Sequence, residues 1–207
     1  MKLERYLLYI MLICIMVLVG CGNNASEKDD TELIQDTEET QETETEFRVE
    51  IADATDVLTK TWGAYEDGTH FEIMGGHFSS ALIGLPAKYD LSQTTDLVQM
   101  YCFPESQISV VDDAATMIDL YNAARFTAGV YHISDVASVQ SVVDEIKNQV
   151  SANEWHGEKP EKLYVIKVDE RYVVSVYGRE PLVELFKQKL VSVYQTMVEV
   201  EIEEKLF

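Results

Sequence analysis

Lys162-Leu163-Tyr164-Val165-Ile166-Lys167-Val168 runs through Asp169-Glu170-Arg171 into Tyr172-Val173-Val174-Ser175-Val176-Tyr177-Gly178. Two runs rich in β-branched and aromatic residues, joined by so short a polar link, predict an antiparallel hairpin. Leu163, Val165 and Val168 fall in its first strand, Asp169-Glu170 make the tight connection, and Tyr172 to Tyr177 return as the partner. Gly178 breaks the second strand. Pro181 then suits the first turn of a helix, where no N–H is needed and φ is already set. Leu182, Leu185, Phe186, Leu190, Val193, Tyr194 and Met197 give this last helix one apolar stripe.

Upstream, Ser134 or Asp135 caps a helix whose stripe is Val136, Val139, Val142, Val143, Ile146 and Val150. So many valines lower helix propensity, so burial must hold it. Arg125 to Ile133, with Phe126, Val130 and Tyr131, reads as a strand. Ala114 to Ala124 is helix-compatible, with Met117, Ile118 and Tyr121 on one face, or partly strand. Gln107 to Val111 suits a short strand, 93–101 either a helix or a strand, and 77–92 a long loop containing Gly84 and Pro86. Phe71-Glu72-Ile73-Met74 is a short strand running into Gly75-Gly76. Asp53 opens a helix bearing Ala54, Val57, Leu58, Thr61, Trp62 and Tyr65, with Asp56 favouring its N-terminus and Asp67-Gly68 ending it. The order predicts an α+β domain: a small antiparallel sheet with helices packed mainly on one face, and a C-terminal hairpin followed by a final helix. A doubly wound parallel sheet fits the hairpin less well.

The Asp-initiated helix, Phe71–Gly76, Gly84-Leu85-Pro86-Ala87-Lys88-Tyr89-Asp90, Phe126-Thr127-Ala128-Gly129-Val130-Tyr131, and Lys159–Leu163 followed by Tyr172–Gly178 occur in that sequence order. The set resembles a family of Gram-positive bacterial lipoproteins known only as a domain of unknown function. The resemblance covers residues 50–195 or so and implies an envelope location and one compact domain. It brings no catalytic residues with it.

Residues 1–20 have the form of a signal peptide: Lys2 and Arg5, then an unbroken apolar run from Leu7 to Val19, then Leu18-Val19-Gly20-Cys21. Those 13 apolar residues would span about 20 Å as a helix, against about 30 Å of bilayer hydrocarbon. The competing reading is an uncleaved anchor helped by snorkelling of the two basic residues. A small-residue site ending on Cys resembles the lipobox of bacterial lipoproteins, with Cys21 acylated and left as the first residue. Two acyl chains anchor stably where one does not. The expected location is therefore the extracytoplasmic face of the cell membrane, with the membrane itself as a partner through lipid.

Residues 21–46 form the lipidated Cys and an acidic linker: 22–46 hold ten acids and only Lys28 against them. With Leu33 and Ile34 as its only large apolar residues, this stretch is expected to be disordered and to act as a self-repelling spacer. Residues 47–207 then make one domain, with 13 basic and 26 acidic residues. Such a balance argues against nucleic acid as a partner and against direct docking on anionic head groups. Of the cysteines, Cys14 would leave with the signal and Cys21 is reserved for lipid. Cys102 reads as a packed core thiol, so no intramolecular disulfide is expected.

His70, Glu72 and His77, with Asp90 downstream, are the only local cluster of metal-type residues. On a strand His70 and Glu72 share a face, and Gly75-Gly76 could turn His77 back towards them. Two His and a carboxylate can hold zinc or iron, yet the spacing matches no established motif, and solvent-facing or structural roles compete. Gly75-Gly76 lacks the rest of a phosphate loop, so a turn needing positive φ is its expected role, and the sequence calls for no cofactor. Ser79 and Ser80 near His77 lack a nucleophile elbow, and His132 and His156 have no partner visible in sequence. The aromatic residues, among them Tyr65, Tyr89, Tyr101, Tyr131, Tyr164 and Tyr177, are expected in the core rather than lining a groove, with Trp155 on a loop. The expected function is a non-enzymatic module binding an envelope protein or a small ligand. The alternative is a metal-dependent hydrolase built on His70/Glu72/His77. A third role, in envelope assembly, would require a sizeable exposed apolar patch.

Overall fold

In the computed structural model, which describes residues 48–207, the hairpin forms as the sequence demands. Strands β6 (Lys162–Val168) and β7 (Tyr172–Gly178) pair antiparallel in register Lys162↔Gly178 to Val168↔Tyr172, with Asp169 at positive φ in the turn. The expected signal peptide, the expected lipidation site Cys21 and the expected acidic linker lie outside the described residues.

The other elements assemble around this pair. In chain order they are α1 (Ala54–Gly63), β1 (Ile73–Gly75), β2 (Leu82–Ile83), β3 (Ala87–Lys88), α2 (Thr94–Tyr101), β4 (Val111–Asp119), β5 (Phe126–Ile133), α3 (Val139–Ala152), the hairpin, α4 (Glu180–Tyr194) and β8 (Val198–Lys205). All strands join one open antiparallel sheet, ordered β2-β1-β4-β5-β7-β6-β8, with β3 also paired to β4. The α+β class, the antiparallel sheet and the hairpin leading into a helix are as expected.

The sheet is larger than expected, and its covering differs. Helices lie on both faces rather than mainly on one. On the first face α1 and α4 bury Leu58, Trp62, Phe186 and Leu190 against Phe126, Val130, Ile166 and Val174. On the second, α2 and α3 bury Leu97, Val142, Val143 and Ile146 against Tyr131, Ile133, Val165 and Val173. The reason lies in the central strands. Successive residues point to opposite faces, and β5 and β7 are apolar at nearly every position, so both faces need cover.

There are three further differences. Ala114 to Asp119 is strand, not helix: with both faces buried, β4 shows no polar alternation that would announce it. Residues 105–110 form 3₁₀ turns instead of a strand, and β4 begins only at Val111. After α4 the chain turns at Gln195 (φ 47°) and adds β8 outside β6. The 77–92 segment is mostly loop but contributes the two-residue strands β2 and β3, and 94–101 is helical.

Gly75-Gly76 earns its place twice. Gly76 has φ +84°, as anticipated; at Gly75 a Cβ would stand 2.4 Å from the Ala87 nitrogen. That closeness lets β3 follow β1 along the same side of β4. Asp119 closes the other end of β4 from within: almost fully buried, it accepts from the Tyr121 and Asn122 amides at 3.0 Å and meets Arg125 Nη1 at 3.1 Å.

Candidate functional site

One irregularity in the sheet gathers several titratable side chains around a cleft. The register of β4 against β5 runs Val111↔Ile133 and then Asp113↔His132, so Asp112 is an extra residue, a β-bulge. Without it Val111 and Asp113 would share a face. With it Val111 joins the core on the α2/α3 side, while Asp113 turns towards the N-terminus of α1. Bulges re-aim side chains in this way and recur beside functional sites.

Asp53 caps α1 by accepting from the Asp56 amide at 2.8 Å, and Asp113 Oδ2 accepts from the Ala54 amide at 2.8 Å. Two carboxylates thus answer the unpaired N–H groups and the positive end of the helix. Lys88, carried here by β3, reaches Asp113 Oδ1 at 2.9 Å, and this hydrogen bond raises the lysine's pKa. On the other side of the bulge His132 Nδ1 lies 2.5 Å from Asp112 Oδ1, its ring packed on Tyr172 with centroids 4.9 Å apart. Burial, then the negative charges of Asp113, Asp53 and Asp112, raise the Tyr172 phenol.

Ala52, Asp53, Lys88, Asp112, Asp113, His132 and Tyr172 surround an open cleft of about 380 Å³. A second cleft shares Lys88, Asp112 and Asp113 and continues to Tyr89, Asp90 and Leu91. Hydrogen bonds from Ser92 hold the Asp90 carboxyl below its usual range. The result is a fixed pattern of alternating charge with an aromatic wall. It can bind a polar group that carries both donors and acceptors.

The sequence-predicted metal residues are not brought together. His70 Nε2 sits 3.1 Å from the Trp62 carbonyl with its ring edge-on to Trp62. Glu72 accepts from the Tyr121 hydroxyl. His77 turns the other way, with Nε2 3.0 Å from Asp96 Oδ2. The reason is local: β1 starts only at Ile73, so His70 and Glu72 precede the strand, and Gly76 carries His77 towards α2. Among the described residues no three His, Cys, Asp or Glu side chains are placed to hold a metal ion.

His77 does gain an unforeseen partner. Its Nδ1 lies 2.8 Å from Ser79 Oγ, so hydroxyl, imidazole and the Asp96 carboxylate stand in line. Nδ1 also accepts from the Ser79 amide at 3.3 Å, the geometry of a side chain capping the 3₁₀ turn at 78–80. Cys102 is buried 3.7 Å from the Tyr177 hydroxyl, and burial pushes its thiol up. The tyrosines expected in the core are there, and Trp155 packs edge-on to Tyr177 at 5.4 Å. His156 is exposed.

Against this geometry, no protein-family model, curated protein or solved structure matches the chain.

Proposed function

We propose that the chain is a membrane-anchored, extracytoplasmic lipoprotein whose α+β domain is a non-enzymatic binding module of the cell envelope. The observation that carries the anchor is Leu18-Val19-Gly20-Cys21 at the end of the 7–19 apolar run. The resemblance to Gram-positive lipoproteins supports the same reading. The bulge cleft supports the binding role. Its charged groups are paired with one another, as in His132–Asp112 and Lys88–Asp113, which favours recognition of a polar ligand over proton transfer to one.

Metabolic labelling with a palmitate analogue tests the anchor: wild type takes up label and Cys21→Ser does not. Equal labelling of the two refutes it. Crosslinking from native membranes tests the cleft, where a partner retained undiminished by an Asp112→Ala/His132→Ala chain would show that the contact lies elsewhere.

The Ser79–His77–Asp96 line favours a second reading, a serine hydrolase. A fluorophosphonate probe decides it. Labelling lost in Ser79→Ala and in His77→Ala supports hydrolysis, and an unlabelled wild type leaves the line as a turn cap.

A further inference from the structure

The strongest feature the cleft does not use lies at the outer edge of the sheet. Phe78, Ile83, Leu85 and Leu82 are 66 %, 65 %, 55 % and 51 % exposed, four of the nine large apolar side chains so displayed among the described residues. All four fall within eight residues of the chain. They sit on β2 and its flanking turns, at the end of the strand order. Single exposed apolar residues are ordinary, but a cluster marks a contact surface.

Their surroundings say what kind of surface. The domain is strongly acidic, yet no Asp or Glu occurs between Glu72 and Asp90. The acids that neighbouring elements bring against this segment are each occupied: Asp96 by His77, Asp113 by Lys88 and Asp119 by Arg125. The turn is also firmly held. Tyr101 donates to the Gly76 carbonyl at 3.1 Å, Gly76 donates to Thr116 Oγ1 at 3.1 Å, and the Gly84 amide donates to the Ile73 carbonyl at 2.7 Å. Phe78 and Ile83 are therefore presented on a braced scaffold, not left on a slack loop. A two-residue edge strand is too short to template another strand.

We infer that this acid-free apolar edge rests in the interfacial layer of the membrane to which the chain is tethered. The inference builds on the proposed anchor at Cys21. Charge selects the face, because elsewhere the acidic domain is repelled by anionic lipid and this edge is not. Aromatic and aliphatic side chains beside neutral polar ones suit the head-group boundary. Reach permits it. Arg48 pairs with Asp169 in the β6–β7 turn, and β2 lies five strand steps from β6, about 24 Å at the usual strand spacing. The 26 residues 22–47 can extend to about 85 Å. Tethering makes the contact intramolecular, so a weak apolar patch is enough.

The test uses the chain from Cys21 onward. Cys102 is 2 % exposed, so the Cys21 thiol can be coupled selectively to a maleimide-headgroup lipid. The vesicles contain phosphatidylcholine, phosphatidylglycerol and a doxyl-labelled lipid. Added tryptophan emission from Phe78→Trp, and independently from Leu85→Trp, is expected to be quenched at least about twofold more than that from Asn148→Trp on the solvent face of α3, given an insertion depth of 5–10 Å or so. Equal quenching at all three sites, or none, overturns the inference. So does an untethered chain that sediments as a dimer and reverts to monomer on Ile83→Lys, because the edge would then belong to a second copy. The coupling is chemical, so a failure of acylation in cells refutes the anchor alone and leaves this readout intact.

Discussion

Asp112 and Asp113 are identical neighbours for which the bulge assigns opposite consequences of mutation. Asp113→Ala removes the acceptor of the Ala54 amide at 2.8 Å, in a side chain only 16 % exposed. A charge-assisted hydrogen bond of this kind contributes about 1.5–3 kcal/mol. The Lys88 contact, whose lysine is 67 % exposed, adds no more than about 1 kcal/mol. The expected loss is therefore about 1.5–4 kcal/mol. With a urea dependence of about 2 kcal/mol per molar, the unfolding midpoint should fall by about 1–2 M at unchanged slope. Asp112→Ala removes an exposed carboxylate and its pairing with His132, and should cost no more than about 0.5 kcal/mol. Under the proposed binding role, its effect should instead appear in ligand binding. Urea titrations of both variants, followed by far-UV circular dichroism and tryptophan emission together, check the contrast. Equal midpoint shifts, or a larger shift for Asp112→Ala, would refute the register that places one carboxylate under the helix and the other in the cleft.

Glu184 gives a pH-dependent prediction. Burial would raise its carboxyl, but hydrogen bonds from Lys162, Tyr164 and Lys187 outweigh it and hold the group at about 2. A depressed carboxyl stabilises the fold above its ordinary range near 4.5, and that contribution disappears as pH falls towards 2. Glu184→Gln should flatten the acid limb of stability against pH across that window; an unchanged limb speaks against the network. At Gly75, Ala is expected to cost about 1–3 kcal/mol through overpacking, or about 3–9 °C in Tm, because the opposing atoms are backbone. A thermal scan matching wild type would mean the strands can part freely. Phe186→Ala empties a fully buried site between α4 and β5, with an expected cost of about 3–5 kcal/mol by denaturant titration. A loss below about 1 kcal/mol would mean that α4 is not held by its apolar stripe.

What could be read in advance was set by residue type and punctuation as much as by burial. The β6–β7 hairpin is buried on both faces, yet its β-branched and aromatic runs, the short polar link, Gly178 and Pro181 announce it. α3 forms with its valine stripe from Val139, after a 3₁₀ turn capped by Asp135. β4 does not announce itself: Ala114-Ala115-Thr116-Met117-Ile118 is buried on both sides, and an alanine-rich apolar run satisfies a helix as well as a strand. β8 does carry its signal, since Val198, Val200 and Ile202 alternate with Glu199, Glu201 and Glu203. The apolar stripe of α4 running on to Met197 masks it. The cleft was beyond reach for a different reason. His132 and Asp112 stand twenty residues apart in sequence, and one inserted residue decides whether they meet. His70, Glu72 and His77 illustrate the converse, proximity in sequence without convergence in space.

β8 also constrains the order in which the molecule can be completed. Its partner β6 is made thirty residues earlier, before β7 and α4, so as the chain is synthesised one side of β6 has no strand to pair with. An unsatisfied strand border can recruit another molecule. During that interval Lys162 and Lys167 stand on the open border without Glu203 and Glu199, the carboxylates they later meet at 2.8 and 2.9 Å. Two nascent chains approaching border to border would bring lysine against lysine. Lysines on an unpaired strand border disfavour edge-to-edge pairing, and here the same side chains end as inter-strand ion pairs once β8 has added to β6.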